Sequence, residues 1–291
     1  MESIKSELEE KGYVIVPNVL SESDILEYRS NFDKWYNSTP NLKNLHNKID
    51  PHGIFKFHEV GHQRFAWLIR THPKVIEIFK YIWEVDELVV SFDGSCYMSN
   101  DMEKKDKYWT HTDQSSEKKG LHCYQGLVSL TSNVERSLVV YEGSHKLHEK
   151  YFTDNNIISK NNWCVINKEY TDQLKDSKKI LNIKAGSLVI WDSRTFHQNT
   201  CGSPLSEEER LVQYLCYLPK NNEKNTAEIQ EDRRICYRDY RTTNHWPYPM
   251  GPIALQPNYY NYLYSDNLKI NYNELPEPDL TGLEEKIEKL L

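Results

Sequence analysis

Apolar and polar positions along this chain fall into two textures. The first is helical. An amphipathic segment at about 3–10 leads into Gly12-Tyr-Val-Ile-Val-Pro17, a short apolar strand that proline ends. Ser21-Glu-Ser-Asp24 places an N-cap serine three residues before an acid, and Ile25, Leu26, Arg29, Phe32 and Trp35-Tyr36 then keep a helical period. Thr71-His72-Pro73 predicts a second helix start, because a first helical turn accommodates proline. Val75, Ile76, Phe79 and Ile82-Trp83 form its apolar face.

From Leu88 the texture changes to strands, at 88–97, 125–130, 138–141, 183–191 and 210–218. They are short, apolar or alternating, and broken by Gly, Asn, Ser and Pro, which predicts an antiparallel barrel or jelly roll. Residues 151–179 are polar and read as an insertion between two halves of the sheet. Near the end, Thr281-Gly-Leu-Glu284 predicts another capping box, with Leu283, Ile287 and Leu290-Leu291 on one stripe. No repeat or linker divides the 291 residues, so a single domain is expected. Its parts are a helical N-terminal flank at about 1–87, a β core at about 88–219 and a C-terminal extension at about 220–291.

Charge and cysteine usage narrow the function classes. A net charge of −7 argues against a nucleic-acid or anionic-membrane binder, and no apolar run approaches a membrane span. The charged first residues lack an apolar signal core, and the last four form no targeting signal, so a cytoplasmic location is expected. Six scattered cysteines without a C-x-x-C pair read as reduced thiols.

The candidate chemistry lies in the strand-rich half. His111-Thr-Asp113 is a His-x-Asp pair whose side chains share one face of a strand. His197 follows the strand Gly186-Ser-Leu-Val-Ile-Trp-Asp192, and Arg210 opens the next one. Two histidines and a carboxylate can hold one face of an octahedral ion and leave three positions open, the arrangement of non-haem Fe(II) oxygenases. Neighbouring strands would return Arg210 beside His197, where its planar fork suits the far carboxylate of 2-oxoglutarate. A lone His-x-acid triplet is expected by chance in a chain of this composition; the ordered set is what carries weight.

That ordered set resembles the phytanoyl-CoA dioxygenase family of Fe(II)/2-oxoglutarate oxygenases, which includes ectoine hydroxylase-like enzymes. The matching pieces are Gly12 to Leu20, His111-Thr-Asp113, Gln125-Gly-Leu-Val-Ser-Leu130, Leu138-Val-Val-Tyr-Glu-Gly-Ser-His-Lys146, Gly186 to His197, and Arg210 to Pro219. The resemblance implies a mainly β fold with flanking helices, a double-stranded β-helix of the jelly-roll or cupin type. It also implies iron on His111, Asp113 and His197, 2-oxoglutarate on Arg210, and O2 as the oxidant. Gln125 and Asn199 are further candidates for touching the co-substrate. Where the family has Pro-Gly-Ser-His, this chain has Glu142-Gly-Ser-His145, a change in a turn. Halogenating relatives lose the carboxylate, and Asp113 is intact, so hydroxylation of a C–H bond in a small-molecule or thioester-linked substrate is the expected outcome.

Two other readings stay open here: a non-enzymatic binding module on the same barrel, and a zinc hydrolase on the same ligands, although no His-Glu-x-x-His segment supports the latter. Five histidines crowd 46–72 and are expected at the rim or surface, with His58 and His62 spaced to share a metal only if helical. Ser91, Asp93 and Tyr97 alternate and are expected to face the cavity together. Arg241-Thr-Thr-Asn-His-Trp-Pro247 either closes the pocket or is a loop packed by Trp246 and Pro247. His145 is expected to support its turn.

Overall fold

The structure is a computed structural model that describes residues 2–49, 52–102, 107–257 and 269–291. Its centre is two facing antiparallel sheets, as the resemblance implies. The larger contains β1 (Tyr13–Val16), β2 (Ile54–Phe55), β3 (Leu88–Val90), β4 (Ser95–Met98), β6 (Tyr124–Ser129), β10 (Leu188–Asp192) and β12 (Arg210–Pro219), in the order β1-β10-β6-β12-β4-β2, with β3 also on β12. The smaller contains β5 (His111–Thr112), β7 (Leu138–Tyr141), β8 (Cys164–Val165), β9 (Lys178–Ile180) and β11 (His197–Asn199), in the order β8-β5-β11-β7-β9.

Strand alternation sorts the side chains between two cores. Leu127, Val189, Trp191 and Val212 of the larger sheet meet Leu138 and Val140 of the smaller one. On the same strands Val128, Leu188, Ile190, Leu211 and Leu215 point the other way, into a core shared with the helices α1 (Glu2–Lys11), α2 (Glu22–Ser38), α4 (Arg64–Arg70) and α5 (Pro73–Trp83). A further short helix, α3 (Leu42–Ile49), lies between α2 and α4 in the chain. Burial on both faces explains why the middle of β10 reads as a continuous apolar run rather than an alternating one.

The N-terminal helices begin where the pattern predicts. Ser21 caps α2 in a reciprocal box with Asp24, and Pro73 occupies the first turn of α5. The expected cap at Thr281 does not form. The last helix is only Glu284–Glu288, its cap residue is Leu283 without a side-chain bond, and the Thr281 amide donates to Asp279 Oδ1. The expected strand at 88–97 is broken between Val90 and Ser95. Gly94 passes so close to β2 that a Cβ there would lie 1.8 Å from the Phe55 carbonyl oxygen.

That break changes which residues face inward. Of Ser91, Asp93 and Tyr97, only Asp93 lines the central cavity; Ser91 bonds the Cys216 backbone, and Tyr97 packs among Phe32, Tyr36 and His46. The histidines expected at the surface are also corrected. His46, His58 and His62 are buried, His46 stacked on Phe55 and His62 against Phe92 and Trp67. His58 and His62 share no helix, and His62 Nε2 meets the Arg241 carbonyl at 3.0 Å. His145 supports its turn as expected. Its Nε2 meets the Glu9 carbonyl, and its ring packs where a Cβ on Gly12 would sit, at a backbone φ of +82°.

Candidate active site

Pairing between β5 and β11 places His111 directly opposite His197. Asp113 follows β5 by one residue, and its amide donates to Ser193 O at 3.0 Å, which fixes the turn that aims its carboxylate at both rings. Asp113 Oδ2 lies 3.2 Å from His197 Nε2 and 3.6 Å from His111 Nε2. One donor atom from each residue lies within 4.8 Å of the others. Each histidine has its Nδ1 2.9 Å from the carbonyl two residues before it, Trp109 O for His111 and Thr195 O for His197. Those contacts assign N–H to Nδ1 and leave both Nε2 lone pairs facing Asp113, the tautomer a metal requires. The donor set fits one ion with room for further ligands.

All three side chains are nearly fully buried. Burial pulls the His111 imidazole below its usual range, against the opposing effect of Asp113. For Asp113, burial raises the carboxyl, but His245, His111 and His197 outweigh it and hold the group well below the usual carboxylate range.

Around it lies a cavity of about 270 Å³. Trp109, Trp163, Ile54 and Ile253 form an apolar part of its wall, and Asp93, Asn244 and His245 a polar part. Gln125 lines the same cavity, and the partner its amide takes is Asp113 Oδ2, at 3.0 Å. Asn199 also lines it; its Nδ2 donates to the Tyr214 hydroxyl at 2.8 Å and its Oδ1 accepts from Arg210 at 3.1 Å. Arg210 stands behind those two side chains, fully buried, with a second bond to Arg136 O at 3.2 Å and an unpartnered Nε. Among the described residues no carboxylate lies within ion-pair distance of it.

The Arg241–Pro247 cluster divides in two. Thr243, Asn244 and His245 are cavity wall, whereas Trp246 is packed among Val89, Cys123 and Cys216. His245 lay inside that cluster, but sequence spacing offered no handle on Tyr214 or on the tryptophans at 109 and 163, whose positions come from strands and loops far apart in the chain. Asp93 was visible as an inward candidate. Burial pushes its carboxyl up to about 7, against the opposing Arg70 charge, and its Oδ1 has no hydrogen-bond partner.

A double-stranded β-helix with a buried His-Asp-His centre and an adjoining cavity defines an enzyme of the iron- and 2-oxoglutarate-dependent oxygenase type. The chain belongs to the phytanoyl-CoA dioxygenase (PhyH) family, whose profile matches residues 8–200. It is similar to Ava biosynthesis cluster protein O of Aspergillus versicolor, with 28% identity over 275 residues that cover 84% of this chain and 85% of that one. Among solved structures it is similar to the epimerase SnoN in complex with Fe3+, alpha-ketoglutarate and nogalamycin RO. The identity is 16%, the coverage 75% of this chain and 83% of that one, and the TM-score 0.52. HygX from Streptomyces hygroscopicus, solved with nickel and 2-oxoglutarate, is 13% identical over 79% of this chain and 94% of that one, with a TM-score of 0.53. At these identities the structural likenesses establish the fold.

Proposed function

We propose that this chain is an Fe(II)- and 2-oxoglutarate-dependent dioxygenase that hydroxylates a C–H bond of a small-molecule or thioester-linked substrate. The observation that carries the reading is the buried triad with both imidazole Nε2 atoms turned toward one carboxylate at a cavity wall. His111, Asp113 and His197 would hold the iron on one face. Arg210 would take the far carboxylate of 2-oxoglutarate in a region where its own charge has no anionic partner among the described residues. A buried guanidinium is costly until an anion meets it, so the pocket favours a carboxylate there.

With Fe(II), 2-oxoglutarate and O2 bound, the centre supplies the oxidising power for C–H cleavage, and 2-oxoglutarate leaves as succinate and CO2. The protein's own part is to orient and to exclude water. Asn199 and Tyr214 line the cavity in front of Arg210, and Gln125 steadies Asp113. Trp109 and Trp163 offer flat apolar surface beside His111, which suits a carbon-rich substrate. The biosynthetic name of the fungal relative and the natural-product ligand of SnoN support a small-molecule substrate. No described helix is long and apolar enough to cross a membrane.

An anaerobic titration of the iron-loaded protein with 2-oxoglutarate, followed in the visible spectrum, tests the reading. A weak charge-transfer band that is lost in His197→Ala supports it, and succinate release then serves to screen substrates. An iron-replete, folded wild type without a band points to a binding module or a different metal and sinks the proposal. Hydroxylation is separated from epimerisation or ring closure by whether the product gains an oxygen atom from labelled O2.

A further inference from the structure

A third imidazole approaches the centre from the C-terminal extension, outside the stretch that the family profile matches. The loop that carries His245 is tied down on both sides. Thr243 Oγ1 accepts from the Phe92 amide at 3.0 Å, Asn244 N donates to Gly251 O at 2.7 Å, and Trp246 N donates to Asn244 Oδ1 at 3.1 Å. Trp246 itself is buried. The backbone on either side of His245 is thus held by the fold rather than free.

Its direction is specific. His245 Nε2 lies 4.0 Å from Asp113 Oδ1, is shielded from solvent and has no hydrogen-bond partner. The two oxygens of Asp113 are therefore divided between different neighbours. Oδ2 faces His111 and His197 and accepts from Gln125, whereas Oδ1 faces His245. A carboxylate that ligates through one oxygen has its second oxygen free to rotate in and occupy another coordination position. An N–H donor on that second oxygen prevents the rotation, and ligating carboxylates are commonly held this way.

We propose that His245 is a positioning residue for Asp113: its Nε2–H donates to Oδ1 and keeps the carboxylate a one-oxygen ligand, so that three positions remain for co-substrate and O2. The assignment rests on reading the site as an iron and 2-oxoglutarate centre. Closing the 4.0 Å gap to a hydrogen bond takes roughly 1 Å of movement, and catalytic hydrogen bonds are often long before ligands assemble.

The test compares wild type with His245→Gln, which keeps a side-chain N–H, and with His245→Leu and His245→Ala, which do not. Fe(II) affinity is measured by anaerobic competition with a chromophoric chelator, and the 2-oxoglutarate band is recorded for each protein, with apo melting curves to verify folding. The expected result is a 10- to 100-fold loss of Fe(II) affinity and a shifted band in Leu and Ala, with most of both recovered in Gln. Gln and Leu fill the space of the ring, so that pair decides the matter even where Ala does not fold. Equal affinity and an unshifted band in folded Gln and Leu variants would overturn the assignment. So would a complete loss of iron in both, matching His197→Ala, which would make His245 a ligand. A wild type that binds iron but shows no band fails the oxygenase reading instead, and the affinity comparison still decides the role of His245.

Discussion

Replacing Arg210 by Met separates what this residue does for 2-oxoglutarate from what it does for the fold. The guanidinium is fully buried, donates to Arg136 O and Asn199 Oδ1, and has no carboxylate within reach among the described residues. Removing one partner of a buried, hydrogen-bonded charge pair costs about 2–5 kcal/mol. At 1.4 kcal/mol per tenfold, that is roughly 30-fold to several thousand-fold in the dissociation constant for 2-oxoglutarate. Arg210→Lys keeps the charge but loses the fork, so its loss should be smaller, near the bottom of that range or below it. Stability without 2-oxoglutarate should move far less. Taking an unpaired charge out of the interior is favourable and offsets part of the about 1–3 kcal/mol that each of the two abandoned acceptors costs, so the net change should be a modest destabilisation. The assay is an anaerobic 2-oxoglutarate titration of each iron-loaded protein, with melting curves recorded with and without 2-oxoglutarate, since ligand binding stabilises the fold by an amount that grows with the logarithm of ligand concentration over Kd. A folded Met variant that titrates at the wild-type midpoint would refute the reasoning, because the buried charge would then have no part in binding the co-substrate.

Three further outcomes can be measured. Gln125→Leu removes the amide donor to Asp113 Oδ2 along with an amide oxygen that is buried without a partner, so Fe(II) affinity should fall about tenfold while urea-measured stability changes little; an unchanged affinity would contradict the role given to Gln125. Phe32→Ala empties a position ringed by Trp35, Tyr36, Phe55, Phe65 and Tyr97 and should cost about 3–5 kcal/mol in urea denaturation; a loss under 1 kcal/mol would mean that the aromatic cluster collapses to fill the gap. His62 is held neutral by burial, with its folded pKa down to about 3, so below its ordinary pKa of 6.5 the unfolded chain binds the proton and stability falls as pH drops. Asp93 and Glu59, pushed up to about 7 by burial, act with the opposite sign in the same window, because the folded state protonates them first. The wild-type curve alone is thus uninformative, but the stability difference between wild type and His62→Phe should shift toward the variant by about 2 kcal/mol from pH 6.5 to 5. A difference that stays constant across that range would show that His62 takes up its proton in the folded state.

The parts of this molecule that could be read from the sequence are those whose physics is local or whose order is constrained. The Ser21 cap is local, since the serine and Asp24 satisfy each other's backbone groups within one turn. The triad was legible because a jelly roll needs its ligands on strands that meet, and β5 against β11 is such a meeting. The same motif logic failed at Thr281, where the helix that follows is too short and starts too late for the threonine to cap it. The buried histidines show the other limit. A lone histidine carries no periodic signal, and His46 is internal where Phe55 stacks on it, as His62 is where Phe92 and Trp67 adjoin it. Asp93 faces inward and Tyr97 outward because Gly94 lets the strand break against Phe55, a register change that alternation cannot foresee.

His245 belongs to the same nonlocal category, and it explains why the metal chemistry is easier to read than the selectivity. The His-Asp-His triad is spelled in a short motif and a distal histidine. The wall opposite them depends on a loop whose position is set by hydrogen bonds to Phe92 and Gly251, and neither contact follows from any spacing rule. Because Thr243 ties to the backbone beside Asp93, the polar part of the wall is coupled through one short stretch of chain, Phe92-Asp93, to the second buried acid of the cavity. A substrate group that pairs with Asp93 Oδ1 would press on the same backbone that seats His245. Changes in the C-terminal loop should then alter substrate choice and iron affinity together.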